Sequence, residues 1–259
     1  PDFYMEQEYP ASAAQALAPA HASAFFDLNR VNDMMEQAVK PITRMPKDGL
    51  PVDFRQVMSF WVRRTPRGKY TAGSDIGHGV GRDYSVTAVL DMASWRVVAD
   101  IMTNVFEPDD FAEASIDMLE YYQKPFWGIE RNECGILVVK AAERRRYGRL
   151  YHRERPGSRG AKKLSEDAQA GWLTDDKTRW ALWGELKQVF DPGDLWIPSK
   201  PALLQFTSVI RNPKERGRAE AMEGAHDDYP MAVGIAYQMR KYAHEGYSEN
   251  KMAVMPRSN

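Results

Sequence analysis

The stretch Tyr70-Thr-Ala-Gly-Ser-Asp-Ile-Gly-His-Gly-Val-Gly-Arg-Asp-Tyr-Ser85 constrains the fold of this chain more than any other. A short apolar run climbs to Asp75, a turn carrying Gly77, Gly79 and Gly81 follows, and a second apolar run, Val86 to Leu90, leads away. Runs this short, punctuated by glycine, belong to strands rather than helices. Neighbouring segments repeat the pattern. Val57–Val62 and Lys69–Ser74 flank the turn Thr65-Pro-Arg-Gly68, and Ser85–Leu90 and Trp95–Met102 flank Asp91-Met-Ala-Ser94. The expectation is an antiparallel meander with Asp75 at the end of one strand.

Beyond residue 105 the period changes. Phe111, Ala114, Met118 and Tyr121 or Tyr122 form one apolar stripe on a helix over 110–123, for which Asp109 is the expected cap. Pro125-Phe-Trp-Gly-Ile129 is continuously apolar, as suits a strand buried on both faces. Helices are predicted over 135–146, over 175–190 with Thr174 as cap, over 201–210, and from His226 or Asp227 to about Tyr242, with a short strand at Leu195-Trp-Ile197. A helical crossover from the meander to 125–129 returns that strand parallel to the one ending at Asp75. The tips of the two strands, Asp75 and Glu130, then share the C-terminal edge of a mixed α/β sheet, where sites in such sheets gather. The first 55 residues, with short helical patterns at Ala13–Ala18 and from Asp27 or Asn29 to Val39, repeat too little apolar surface for a core of their own. They are predicted to be a lead-in that packs on the main domain or joined it to a missing upstream domain, followed by a main domain over 56–245 and a flexible tail over 246–259.

Composition excludes several classes. One cysteine, Cys134, rules out a disulfide framework and a Cys-rich zinc site. No apolar run approaches the ~18 residues of a membrane span, and no signal peptide opens the chain. With a net charge of −1 the whole chain does not announce nucleic acid, but the segment from Lys140 to Lys163 does. It carries Lys140, Arg144, Arg145, Arg146, Arg149, Arg153, Arg155, Arg159, Lys162 and Lys163 against only Glu143 and Glu154. With Pro156, Gly157 and Gly160 and no apolar periodicity beyond Leu150 and Tyr151, the stretch 144–163 reads as a protruding loop or hairpin.

Asp75, Glu130 and the pair Asp227-Asp228 each end or begin a buried-looking element. Carboxylates gathered without a cation repel one another, so a cluster of them points to a divalent metal. Oxygen donors without cysteine favour Mg²⁺ or Mn²⁺. Two such ions about 3.5–4 Å apart and bridged by one carboxylate are suited to phosphodiester hydrolysis. In that scheme Asp75 bridges, and Glu130 and Asp228 each hold one side. Plainer roles remain open. Glu130 could pair with Arg131 or face water, and Asp227 is a natural N-cap, leaving Asp228 as ligand. Asp83 would tie down the glycine turn, while His78 and His226 would lie at the surface or behind the ligands. Trp127, Trp180 and Trp183 are expected in the core. The Asp-Ile-Gly-x-Gly turn also resembles a phosphate loop of actin-like and sugar-kinase ATPases, but no second phosphate loop, adenosine motif, Walker loop or dinucleotide fingerprint accompanies it.

Taken in order, Gly-Ser-Asp75-Ile-Gly-x-Gly-x-Gly-x-Asp83-Tyr-Ser, Gly128-Ile-Glu130-Arg-Asn132-x-x-Gly135, Gly171-Trp-x-Thr174 with Thr178-Arg179, and Ala225-His-Asp-Asp228 resemble the C-terminal nuclease domain of tailed-phage large terminase subunits. Met5-Glu-Gln-Glu-Tyr-Pro10 is similar to the segment that joins their ATPase and nuclease halves. The resemblance implies an RNase H-like fold and metal-dependent cutting of double-stranded DNA during viral genome packaging, with Mg²⁺ or Mn²⁺ on Asp75, Glu130, Asp227 and Asp228. It also implies that the basic segment is a β-hairpin or loop near DNA, whose Arg and Lys contact phosphates. An N-terminal ATPase domain, a small terminase subunit and a portal would be its partners, in the cytoplasm of an infected host, with the isolated domain a monomer. A junction resolvase or transposase-like nuclease, and a DNA-binding motor-docking module without activity of its own, are the alternatives.

Overall fold

The computed structural model describes residues 23–45, 57–77, 81, 83–153, 169–215 and 217–243. The patterns at Met5–Pro10 and Ala13–Ala18, the residues His78, Gly79, Arg155, Arg159, Lys162 and Lys163, and the tail beyond 246 lie outside them. In chain order the elements are α1 (Leu28–Glu36), β1 (Thr43–Met45), β2 (Met58–Phe60), β3 (Tyr70–Asp75), β4 (Ser85–Asp91), β5 (Arg96–Thr103), α2 (Pro108–Tyr121) and β6 (Phe126–Ile129). There follow α3 (Gly135–Arg144), β7 (His152–Arg153), β8 (Gln169–Ala170), α4 (Asp176–Phe190), α5 (Lys200–Thr207), β9 (Val209–Asn212), β10 (Arg218–Ala221) and α6 (Asp228–Met239). No helix among the described residues is long and apolar enough to cross a membrane.

The central sheet has six strands in the order β1-β2-β5-β4-β3-β6. All pairs are antiparallel except β3 with β6, whose parallel register sets Gly73 beside Gly128 and Ser74 beside Ile129. This is the predicted meander, closed by the predicted crossover through α2. Alternation along the strands splits the core in two. On β4, Val86, Ala88 and Leu90 face the layer of α1, α4, α5 and α6, while Val89 faces that of α2 and α3. A three-layer α/β/α arrangement results, matching the predicted RNase H-like class.

Helix α6 lies across β3, β4 and β6, and two glycines permit it. A Cβ on Gly73 would run into the Ala232 carbonyl and the Ala236 amide of that helix, and one on Gly128 would meet Ile235 and Met239. Small residues in the centre of β3 and β6, poor choices for strand propensity alone, therefore let the helix that starts at Asp228 press on the strand that ends at Asp75.

Several boundaries differ from expectation. The N-cap position of α2 is Glu107, with Pro108 opening the helix, so Asp109 sits in the first turn. Asp175, not Thr174, caps α4: its carboxylate accepts from the Thr178 amide while the Thr178 hydroxyl accepts from the Asp175 amide. The helix predicted over 201–210 stops at Thr207. Val209–Asn212 then pairs with Arg218–Ala221 in a hairpin that sequence reasoning missed. Leu195–Ile197 adds only an isolated bridge, Trp196 beside Arg96. Residues 25–36 pack into the main core through Phe25, Phe26, Val31 and Met34.

Candidate metal and nucleic-acid site

Asp75 closes β3 and is 8% exposed. Beneath it a buried polar chain fixes the strand. The Trp127 indole donates to Ser74 Oγ at 2.8 Å, Ser74 and Thr87 hydroxyls meet at 2.7 Å, and Thr87 and Ser115 at 2.9 Å. Glu130 follows β6 directly. Its amide donates to the Ser74 carbonyl at 2.8 Å, so the β3–β6 ladder itself places the two acids side by side. Asn132 clamps this corner, donating from Nδ2 to the Ile76 carbonyl at 2.7 Å and to Glu130 Oε2 at 3.3 Å while its Oδ1 accepts from the Gly135 amide. Arg131 turns away and donates to the Ala170 carbonyl, which removes it as the simple partner of Glu130.

The third side comes from the start of α6. Asp228 is buried at its first position, accepting from the Tyr84 amide at 3.4 Å, with His226 Nδ1 3.4 Å from the same oxygen. His226 Nδ1 lies 3.8 Å from Asp83 Oδ1, and its ring packs edge-on against Tyr84. Asp227 stands at the N-cap position without a side-chain cap bond. Its carboxylate pairs instead with Arg179 at 3.3 Å, and Arg179 also donates to the Ala219 carbonyl on β10.

Electrostatics bind these groups into one cluster. Burial raises the Asp75 carboxyl well above its ordinary value, and Glu130, Asp228 and Asp227 raise it further. Burial also raises Asp227, with Arg179 opposing. Asp228 is pushed up to about 6 by burial and by the charge of Asp227, with His226 opposing. Asp75 thus feels all the predicted acids although they come from three distant parts of the chain. Among the described residues, no three His, Cys, Asp or Glu side chains converge closely enough to enclose an ion as they stand. The donor set nevertheless suits a hard divalent cation, being all carboxylate oxygen. The raised Asp75 and Asp228 carboxyls record the same-sign crowding that such a cation relieves.

The basic segment is a hairpin at its base, where β7 and β8 pair antiparallel. Its described arginines are largely engaged. Arg144 pairs with Asp109 at 2.8 Å, Arg145 with Glu113 at 3.1 Å and Arg153 with Asp175 at 3.0 Å. Arg146 is exposed, and Arg149 is half-buried. Trp127 and Trp183 are buried as expected, but Trp180, three positions before Trp183 on α4, is 50% exposed. The roles of Asn132 and Arg179 were missed, although both lie in the segments that carried the family resemblance. Neither residue type signals by itself whether it will clamp a carboxylate.

No family model and no curated protein matches the sequence. Solved structures do match the fold. The large terminase nuclease from thermophilic phage G20c with bound cobalt aligns at TM-score 0.58 and 16% identity, over 83% of this chain and 97% of that one. The same nuclease with bound magnesium aligns at TM-score 0.57 and 15% identity over the same shares. The large terminase nuclease domain of Thermus phage P74-26 aligns at TM-score 0.54 and 16% identity, over 81% of this chain and 94% of that one. The chain therefore has the RNase H-like fold of large terminase nuclease domains.

Proposed function

We propose that this chain is a divalent-metal endonuclease that cuts double-stranded DNA with little sequence preference, as the nuclease part of a viral DNA-packaging terminase. The observation that carries the reading is the mutual electrostatic crowding of Asp75, Glu130, Asp227 and Asp228 at one sheet edge, on a fold shared with metal-bound terminase nucleases. Asp75, Glu130 and Asp228 are the proposed catalytic carboxylates and would hold the metal, with Asp227 completing the set. Mg²⁺ or Mn²⁺, when bound, supplies Lewis acidity toward the phosphodiester and lowers the cost of ionising water. The protein supplies the rest. Asn132 orients Glu130, the Tyr84 amide and His226 hold Asp228, and Arg179 balances the charge of Asp227. Hydrolysis adds water across one P–O bond and leaves a 5′-phosphate and a 3′-hydroxyl. An upstream ATPase domain and the basic residues between β7 and β8 would deliver the DNA.

The test is incubation with supercoiled plasmid and Mn²⁺ or Mg²⁺. Nicking and linearisation by the wild type, lost in Asp75→Asn, support the reading; no cleavage with any divalent ion, or full cleavage by Asp75→Asn, refutes it. One observation favours a second reading, a DNA-binding docking module without activity of its own: the acids do not converge on an ion position as they stand. Calorimetry showing no Mn²⁺ binding, together with salt-sensitive DNA binding, selects that module.

A further inference from the structure

Beside the carboxylate cluster, on the far side of Arg179, α4 and the β9–β10 hairpin enclose a cleft of about 130 Å³. Its floor is aromatic, formed by Phe25 and Trp183. Its rim is cationic. Arg211 lies over the Phe25 ring at 5.1 Å, Lys187 over the same ring at 5.5 Å, and Arg179 over Trp183 at 5.8 Å. Arg218 completes the rim, and Asp176 is the one carboxylate among the lining residues. Lys187 is committed to Asp191 and to the Phe25 carbonyl. Arg179 is held by Asp227 and the Ala219 carbonyl through Nη2, Arg211 is exposed, and Nε of both Arg179 and Arg218 is buried without a hydrogen-bond partner among the described residues. Trp180, half exposed, stands at the mouth.

We propose that this cleft binds the backbone of a nucleic-acid strand, with Arg211 and Arg218 on phosphates and the Trp180 ring against the adjoining nucleoside. Three features point to this ligand. Guanidinium groups match phosphate oxygens in a planar fork. An exposed indole among cations is the combination by which proteins hold strands without reading their sequence. Finally, Arg179 joins the cleft to the cluster, since it pairs with Asp227 and also contacts Ala219, which lines the cleft. A strand seated here would pass within one side chain of the carboxylates. The proposal rests on the nuclease reading only for the identity of the polymer.

The experiment is fluorescence anisotropy of a labelled DNA duplex, in EDTA and again with Ca²⁺, as a function of salt. Two variants are compared with wild type: the double variant Arg211→Gln/Arg218→Gln, and Trp180→Ala. A triple variant, Arg63→Gln/Arg64→Gln/Arg67→Gln, removes more charge from the β2–β3 loop at the opposite end of β3 and serves as control. Each phosphate contact contributes about 0.9 to the slope of log K against log salt. The double variant is therefore expected to lower that slope by about 2 and to weaken binding about tenfold or more at 0.1 M salt. Trp180→Ala is expected to weaken it several-fold, and the control to change it less than the double variant does. Thermal melts confirm that each variant is folded. Equal losses in the double variant and the control, or no loss in either, overturn the proposal. So does competition by free deoxynucleoside monophosphate or inorganic phosphate as strong as that by unlabelled DNA, since the cleft would then be a nucleotide site. Cleavage is read separately in Mn²⁺. A chain that cuts but binds DNA independently of the two arginines sinks the cleft alone, whereas one that binds through them without cutting sinks the nuclease reading alone.

Discussion

Replacing Asp228 by asparagine should stabilise the metal-free protein while disabling its site. The Asp228 carboxyl titrates near 6 in the folded chain against an ordinary value of 3.8, because burial and Asp227 disfavour its charge. A carboxyl raised on folding contributes stability that is complete below pH 3.8 and lost as pH rises through about 6. At pH 7.5 the ionised side chain is therefore a liability. A rise of about two pH units corresponds to about 3 kcal/mol. Asparagine keeps an oxygen to accept from the Tyr84 amide and never ionises, so it escapes this cost. It forfeits roughly 0.3–1 kcal/mol of charge–dipole stabilisation at the start of α6. The net gain is about 2 kcal/mol, or roughly 4–8 °C in Tm for a chain of this size. Thermal melts in EDTA at pH 7.5 and toward pH 4 measure it: the gain should shrink as pH falls, because wild type then becomes neutral too. With Mn²⁺ the order should reverse, since only the wild type retains its full ligand set and gains stability by binding the ion. A variant less stable than wild type at pH 7.5, or a gain that does not change with pH, refutes the reasoning.

Gly73→Ala drives a methyl into the Ala232 carbonyl and Ala236 amide of α6, which cannot yield without moving the helix. A loss of about 3 kcal/mol is expected, at the upper end of overpacking costs, and urea unfolding midpoints check it. Arg179→Gln removes the cation facing Asp227 and should cost about 1.5–3 kcal/mol, seen as a drop in Tm at pH 7.5 together with reduced plasmid cleavage. Arg179→Lys should restore part of it, because a single nitrogen, Nη2, serves both Asp227 and the Ala219 carbonyl and an ammonium keeps the charge. Mn²⁺ binding near pH 6 should release protons, since the Asp228 carboxyl is pushed up to about 6 and burial and the neighbouring acids also raise that of Asp75. Calorimetry in buffers of different ionisation enthalpy measures that release, and a heat independent of buffer argues against it.

Legibility in the sequence followed the range of the interactions involved. The meander over 57–102 was readable because each strand is a short apolar run closed by Gly, Pro or Asp, a signal local to the run. The parallel return of β6 was also readable, as the only simple outcome of a helical crossover. The acids that the fold brings to one sheet edge could be singled out because each sits at the end of a readable element. What local pattern could not show was the hairpin Val209–Ala221. Val209 and Ile210 continue the apolar run of α5, and only pairing with Arg218–Ala221 makes them a strand. The same holds for Trp180, one residue beyond Arg179 in an apolar-looking stretch, where a difference of three positions on a helix separates the buried Trp183 from an exposed indole. The cap of α4 was misplaced by one residue because Thr174 and Asp175 are equally good cap residues. The Thr178 hydroxyl decides between them. Of the basic segment, charge alone could not reveal that Arg144 and Arg145 fold back onto acids of α2.

The most direct test of the central claim is a crystal of the chain soaked in Mn²⁺, with the ion located by its anomalous scattering. The account predicts one or two peaks bounded by Asp75, Glu130 and Asp228, with Asp75 as the shared ligand if there are two. Density at any other place in a protein that still cuts DNA, or none at these carboxylates at saturating Mn²⁺, would contradict it.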